Sequence, residues 1–379
     1  MKSEYYRGRE QTEVKHRALE RYLSGFAPIV GRWVDEIVYV DCCAGPWESV
    51  APGLEDTSFS RALNVLRTTR DLLKQEGHSP RLRCLLVERE PEPFRRLSAF
   101  CNSVKDIEVL PRRWDFTRRV DDVLAYVGGS DRTFPFFFID PTGWEPVAIP
   151  VIRPVLARQP VEVLVNLMTS WIVWLVGDPS KGLAEVLGGD VSPVLGLSGD
   201  EREEAIVRLY CESFRRVGSF PYVCTLPVMK AEQDAMHYYL VYGTRNPKGV
   251  EVFKNTEKAV ASFMHETRAE SQRRREVERT GQDGLFTADA TYIERRYSRL
   301  RRRNIDDAKS LVADTLGQSS TVPYDDIWAA AMQFAAVAEE DLRDWLADWE
   351  SQGLVEWSER LPRQRVPQRG KGNVFKWKR

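Results

Sequence analysis

Two strand-like runs in this chain end in an acid followed by a turn of small residues. Val38-Tyr-Val-Asp41 leads into Cys42-Cys43-Ala44-Gly45-Pro46, and Phe136-Phe-Phe-Ile-Asp140 leads into Pro141-Thr142-Gly143-Trp144. In open parallel sheets, ligands bind outside the carboxyl ends of the strands. The two motifs therefore mark one edge of one sheet as the place for chemistry.

The first turn has a single glycine rather than the three of a dinucleotide fingerprint, which suits a ligand without a pyrophosphate. S-adenosylmethionine (SAM) fits: it has an amino-acid end, a ribose and an adenine, and helix N-termini at such an edge attract its carboxylate. Asp41, Cys42, Ala44, Gly45 and Pro46 are the expected cofactor turn, the other reading being a structural turn capped by Asp41. Glu88, ending the run Leu85-Leu-Val-Glu88, can accept hydrogen bonds from both ribose hydroxyls. Trp114 and Asp115 follow the third strand and can meet the adenine by stacking and by accepting its amino group; Asp115 can equally be a helix N-cap. Lys15 and His16, on a leading helix, can reach the cofactor carboxylate or the substrate.

Methyl transfer is an in-line displacement that demands alignment above all. Asp140 and the carbonyl of Pro141 can accept the N–H groups of an amine. Thr142 belongs to the same turn, Gly143 permits close approach, and Trp144 can stack on a flat acceptor. Asp140 as a turn cap and Trp144 as core are the alternatives. The acids needed for a two-metal hydrolase are not clustered, and no metal site is expected.

The elements that must position these residues follow from composition and periodicity. The chain has 379 residues, long enough for two or three domains. Its 55 basic and 56 acidic residues nearly cancel, so only local clusters can argue for a nucleic-acid partner. No apolar run reaches the ~18 residues of a membrane span. The first residues show no signal-peptide pattern, and six cysteines without a C-x-x-C pair read as reduced thiols of a cytoplasmic protein. Apolar spacing predicts a helix over Thr12–Phe26 and strands at Ile37–Val40, Arg81–Glu88, Ile107–Leu110, Pro135–Asp140 and Val161–Asn166, with helices between them, the first N-capped by Ser58. That alternation is the pattern of a parallel sheet covered on both faces. Gly177–Gly199 reads as an insertion, Tyr222–Met229 and Met236–Thr244 as adjacent strands, and Gly281–Ala290 as a linker.

The last eighty residues read as three helices, Ile305–Leu316, Tyr324–Phe334 and Glu339–Gln352, followed by a two-stranded ribbon: a winged helix-turn-helix. Two basic clusters are candidate phosphate contacts. One is Arg295, Arg296, Arg299, Arg301, Arg302 and Arg303; the other is the tail with Arg363, Arg365, Arg369 and Lys371. The would-be recognition helix is acidic, so the tail rather than that helix would touch nucleic acid.

With these residues in view, the chain resembles the three-Cys-motif partner protein family. The resemblance is carried by Lys15-His16 with Leu19 and Tyr22, the Asp41 to Pro46 turn, Ser58, Phe138-Ile-Asp-Pro-Thr-Gly143, Tyr210, and Tyr238 to Thr244 with Gly249. It implies a Rossmann-like class I methyltransferase sheet over residues 1–265, then a helical, basic linker (266–303) and the winged-helix domain (304–379). It also implies a radical-SAM-type iron–sulfur partner, to which the three cysteines belong. Relatives carry Pro-Gly where Pro46-Trp47 stands here, which puts an indole beside the cofactor turn, and a tyrosine where Thr142 stands. The function expected is SAM-dependent methylation of an amine on a base of DNA or RNA. The alternative is a non-catalytic subunit that brings the iron–sulfur protein to nucleic acid.

Overall fold

The computed structural model describes residues 4–6, 8–170, 182–280 and 295–378. The apolar runs form the expected strands: β1 (Glu36–Asp41), β2 (Arg81–Val87), β3 (Glu108–Arg112), β4 (Thr133–Ile139) and β5 (Glu162–Leu167). A hairpin-like pair, β6 (Tyr222–Met229) and β7 (Met236–Thr244), completes a seven-stranded sheet of order β3-β2-β1-β4-β5-β7-β6. The first five strands pair parallel, and β7 runs antiparallel to both β5 and β6. Chain order reverses between β1 and β4, so the sheet has its switch point at the two strands that carry the Asp-ended motifs.

Helices α1 (Glu10–Val30) and α2 (Ser58–Gln75) pack together on the sheet. Next come α3 (Pro91–Ser103), α4 (Val120–Val127), α5 (Ile149–Ala157), the short α6 (Leu183–Leu187) and α7 (Gly199–Gly218), the last packed on α5. The 34-residue α8 (Pro247–Thr280) returns to pack on α1. The core is aromatic: Tyr22 of α1 stacks on Phe136 of β4 at 5.5 Å, and Tyr242 of β7 stacks on Phe253 of α8 at 4.9 Å. Burial of β1, β4 and β5 on both faces explains why they read as continuous apolar runs rather than alternating ones.

The C-terminal residues form α9 (Arg295–Gln318), β8 (Val322–Pro323), α10 (Tyr324–Ala331), α11 (Glu339–Ser351), β9 (Val355–Ser358) and β10 (Val374–Trp377). Its antiparallel sheet has three strands, in the order β8-β10-β9, rather than the two expected. The unit is docked on the main sheet. Gln333 Oε1 accepts from Arg215 Nη2 (2.7 Å) and from the Val223 N–H (3.2 Å), and Lys254 Nζ donates to the Phe334 carbonyl (3.0 Å).

Several expectations change. The expected boundaries 265/266 and 303/304 fall within the helices α8 and α9. The expected Gly281–Ala290 linker lies outside the described residues, as does the start of the Gly177–Gly199 insertion; its remainder is occupied by α6 and a 3₁₀ turn, Ser192–Val194. The N-cap of α2 is Thr57, whose side chain accepts the Ser60 N–H. Ser58 is instead the first helical residue, and its hydroxyl donates to Asp41.

Candidate active site

At the carboxyl ends of β1, β2, β4 and β5 the sheet opens into a cavity of about 810 Å³. Its floor is the two strand-end turns. Its roof is the chain before α1 (Gly8 and Arg9) and the loop from Gly45 to Thr57. Of the expected site residues, Lys15, Cys42, Gly45, Pro46, Glu88, Trp114, Asp115 and the whole Asp140–Trp144 turn line it.

Asp41 and Ala44 do not. Asp41 is completely buried behind the wall. Its carboxylate accepts from Ser58 Oγ (2.7 Å), the Cys43 N–H (3.2 Å) and the Tyr39 hydroxyl (3.2 Å), so it shapes the turn instead of touching a ligand. Burial pushes its carboxyl up to about 7. Ala44 is buried too and ties the turn to β2, its N–H donating to the Val87 carbonyl at 2.7 Å.

The end of β2 holds the tightest geometry. Glu88 Oε1 accepts the Glu90 N–H at 2.6 Å, and Oε2 accepts the indole N–H of Trp47 at 3.2 Å. A Cβ on Gly45 would lie 1.9 Å from Glu88 Oε2 and 2.3 Å from Trp47 Nε1, so only glycine lets the carboxylate and the indole come this close to the turn. Burial raises the Glu88 carboxyl above its ordinary range. Arg96 of α3 pins the loop from outside, donating to the carbonyls of Pro46 (2.9 Å) and Ser49 (3.1 Å).

At the end of β4, Asp140 is fully engaged. Lys15 Nζ lies 2.5 Å from Oδ2, and Asn166 Nδ2, from the end of β5, donates to Oδ1 at 2.7 Å. Lys15 thus sits at the β4 end, where the reaction is expected. A Cβ on Gly143 would meet nothing within 4 Å, so its value is open space in the cavity, not close packing. His237 and Tyr238 of β7 also line this end. Burial, helped by Lys230 and Lys15, lowers the His237 pKa, and the Tyr238 hydroxyl donates to the Gln11 carbonyl at 2.6 Å.

At the end of β3, Trp114 and Phe116 line the cavity beside Asp115. Asp115 is a cap: its Oδ1 accepts the Thr117 N–H (3.0 Å) and hydroxyl (2.7 Å).

Sequence reasoning missed two residues, Asn166 and Arg9, and the partner of a third, His16, which lines the cavity as expected. Asn166 sits at the end of a strand as the two expected acids do, and that position was the available signal. Arg9 reaches Asp56 at 2.8 Å across the roof, a contact between residues 47 apart that no local pattern announces. His16 is buried with its Nδ1 2.8 Å from the Tyr6 hydroxyl, and burial, with Lys15, Arg61 and Arg9 nearby, lowers its pKa well below the usual value.

Half of the residues in the two basic clusters are neutralised within the fold. Arg296, 1% exposed, is clamped by Asp200, Glu203 and Glu204 of α7 and cannot reach a phosphate. Arg299 pairs with Asp200, Arg303 with Glu204, and Arg301 with Asp341. Arg369 pairs with Glu251 at 2.6 Å and stacks on Trp328. Arg295, Arg302, Arg363, Arg365 and Lys371 are exposed. Among the described residues, no group of three or more His, Cys, Asp or Glu could hold a metal, and no helix is long and apolar enough to cross a membrane.

No protein-family model and no curated protein matches the chain. Among solved structures it is similar to a Legionella pneumophila str. Philadelphia 1 protein of the family model DUF519, at 13% identity over 66% of this chain and 91% of that one, with a TM-score of 0.39. It is similar to Trm1 from Pyrococcus horikoshii in complex with S-adenosyl-L-methionine, at 12% identity over 62% and 57% of the two chains, with a TM-score of 0.32. It is also similar to loganic acid methyltransferase with SAH, at 10% identity over 80% and 92%, with a TM-score of 0.32. Likenesses this distant carry no argument about activity; the Rossmann-like α/β architecture stands on the sheet order itself.

Proposed function

We propose that the chain is a SAM-dependent methyltransferase acting on an amine of a DNA or RNA base. The observation that carries this reading is that Glu88 and Asp140, acids at or just past the ends of two different parallel strands, line one cavity on either side of the switch point. The residues fit the cofactor. Gly45 lets the Glu88 carboxylate close on the turn, Glu88 offers that carboxylate to a diol, and Trp114 offers an aromatic face. Bound SAM would supply an electrophilic methyl group. The chain's own part is to hold the acceptor amine at the Asp140–Pro141 turn and to align it with that methyl.

The C-terminal unit, with its helix–strand–helix–helix order and antiparallel sheet, reads as a winged helix whose exposed Arg363, Arg365 and Lys371 meet phosphates. Membership of the three-Cys-motif partner family, an iron–sulfur partner and a cytoplasmic location belong to the same proposal. Calorimetry with S-adenosylhomocysteine (SAH) tests it: heat of binding that Glu88→Ala removes supports the reading, and no heat with the intact protein ends it.

One observation favours the non-catalytic alternative. Trp47 and Lys15 already occupy Glu88 and Asp140. In that case Asp140→Ala would leave nucleic-acid association intact, and loss of the tail from Arg360 would abolish it.

A further inference from the structure

The acceptor end of the cavity contains an imbalance. Asp140 was the expected hydrogen-bond acceptor, yet Lys15 holds its Oδ2 and the Asn166 amide holds its Oδ1. Because a carboxylate only accepts, the Asn166 nitrogen must be the atom facing Asp140, which fixes the amide the other way round. Its Oδ1 is then buried and has no hydrogen-bond partner, while Asn166 itself lines the cavity and is 3% exposed. A buried, unpaired carbonyl oxygen is costly, and a native fold retains one where something else supplies the donor.

We propose that Asn166 is the residue that selects the methyl acceptor, taking one N–H of a neutral amine on its Oδ1, with Asp140 and Lys15 as the positioning pair behind it. The reasoning deepens the methyltransferase reading and rests on it. The chain Lys15–Asp140–Asn166 polarises the amide, since a carboxylate accepting from Nδ2 makes Oδ1 a stronger acceptor. Charge bears on the substrate class. Lys15 neutralises Asp140 at 2.5 Å, so Asp140 itself has no spare negative charge to offer an alkylammonium such as a lysine side chain, and the remaining acid of this turn, Glu145, is exposed at the cavity wall. A flat, neutral amine of the kind carried by adenine or cytosine brings the missing donor without a charge. The carbonyl that replaces it in hypoxanthine or uracil would bring an oxygen against an oxygen.

The discriminating measurement is calorimetric binding of four nucleosides and one amine to the full chain saturated with SAH. Adenosine against inosine and cytidine against uridine differ at the amine-to-carbonyl position, and Nα-acetyl-lysine methylamide supplies the cation. We expect adenosine or cytidine to bind at least about tenfold more tightly than its carbonyl counterpart, with no heat from the lysine derivative. Asn166→Leu should bring the two members of the pair within about twofold while SAH affinity stays within about twofold. Asn166→Ala, a smaller truncation that adds no charge, should likewise lose the preference, and retained SAH binding shows that the variant is folded. Equal binding of amine and carbonyl forms, binding of the lysine derivative, persistence of the preference in Asn166→Leu, or SAH binding with no nucleoside binding each overturns the proposal and leaves the cofactor site standing. No SAH binding overturns the cofactor reading, and this proposal with it.

Discussion

The indole N–H of Trp47 donates to Glu88 Oε2 at 3.2 Å, and both groups crowd the same glycine. Glu88 is the carboxylate best placed to accept a ribose diol, so its oxygens are satisfied by the protein itself before any ligand arrives. Trp47 is 53% exposed and sits on a loop with two prolines and two glycines, so it can leave without disturbing the core. Trp47→Phe removes the N–H and keeps an aromatic face. SAH should bind this variant about five- to tenfold more tightly than the parent, the value of one hydrogen bond no longer displaced. Weaker binding in calorimetry would show that the indole is part of the cofactor site, not its competitor.

Gly45→Ala probes the same point from the backbone. The added methyl would meet the tips of two side chains, Glu88 Oε2 at 1.9 Å and Trp47 Nε1 at 2.3 Å, and both can swing away. The fold should therefore survive, with the thermal midpoint falling by no more than a few degrees, about 1 kcal/mol. SAH affinity should fall more than about tenfold because Glu88 is displaced. Parallel loss of folding and binding would instead make Gly45 a structural residue only.

The fold was legible where burial is two-sided. A continuous apolar run as short as Phe136-Phe-Phe-Ile139, closed by an acid and a proline turn, suits a strand covered on both faces, and strand-end acids identified the edge of the sheet. What stayed hidden depended on contacts between distant residues. Pro135 made β4 seem to begin late, although the strand starts at Thr133 and carries the proline within it. Ser58 is a good N-cap by type, but its hydroxyl is engaged by Asp41 and the cap is Thr57. The arginines of α9 looked like a phosphate stripe because sequence shows their charge and hides the acids of α7 that neutralise it.

Away from the cavity, Glu162 is buried at the start of β5, accepting from the Tyr22 hydroxyl at 2.5 Å and from Thr244 Oγ1 at 2.8 Å. Burial pushes its carboxyl up to about 7 from 4.5. A raised carboxyl favours the folded state while it is protonated. That contribution is full below about pH 4.5 and is lost as pH rises through about 7, a change of about 3 kcal/mol at 1.36 kcal/mol per unit. Thermal unfolding followed from pH 5 to pH 8 should show the midpoint falling, with a visibly smaller fall in Glu162→Gln; Asp41 keeps part of the slope because burial raises it in the same way. An unchanged slope in the variant would mean that Glu162 is not the group that titrates.

The arginines of the last hundred residues should divide into two classes with opposite phenotypes. Arg296 meets Glu204, which is 4% exposed, together with Glu203 and Asp200; Arg303 and Arg299 still hold Glu204 and Asp200 in Arg296→Ala, so the variant loses the buried guanidinium and its charged hydrogen bonds and should cost about 1–3 kcal/mol of stability. Arg363, Arg365 and Lys371 are exposed, and changing them together to glutamate should leave the melting temperature within about 2 °C. If the C-terminal unit holds nucleic acid, that same triple variant should bind a mixed-sequence duplex less tightly and with a flatter dependence on salt. Each lost phosphate contact should lower the log–log slope by about 0.9. A fluorescence-anisotropy titration at several salt concentrations reads both quantities. An unchanged slope would remove the tail from the nucleic-acid interface and leave the exposed Arg295 and Arg302 as the basic residues of the α9 cluster still able to serve it.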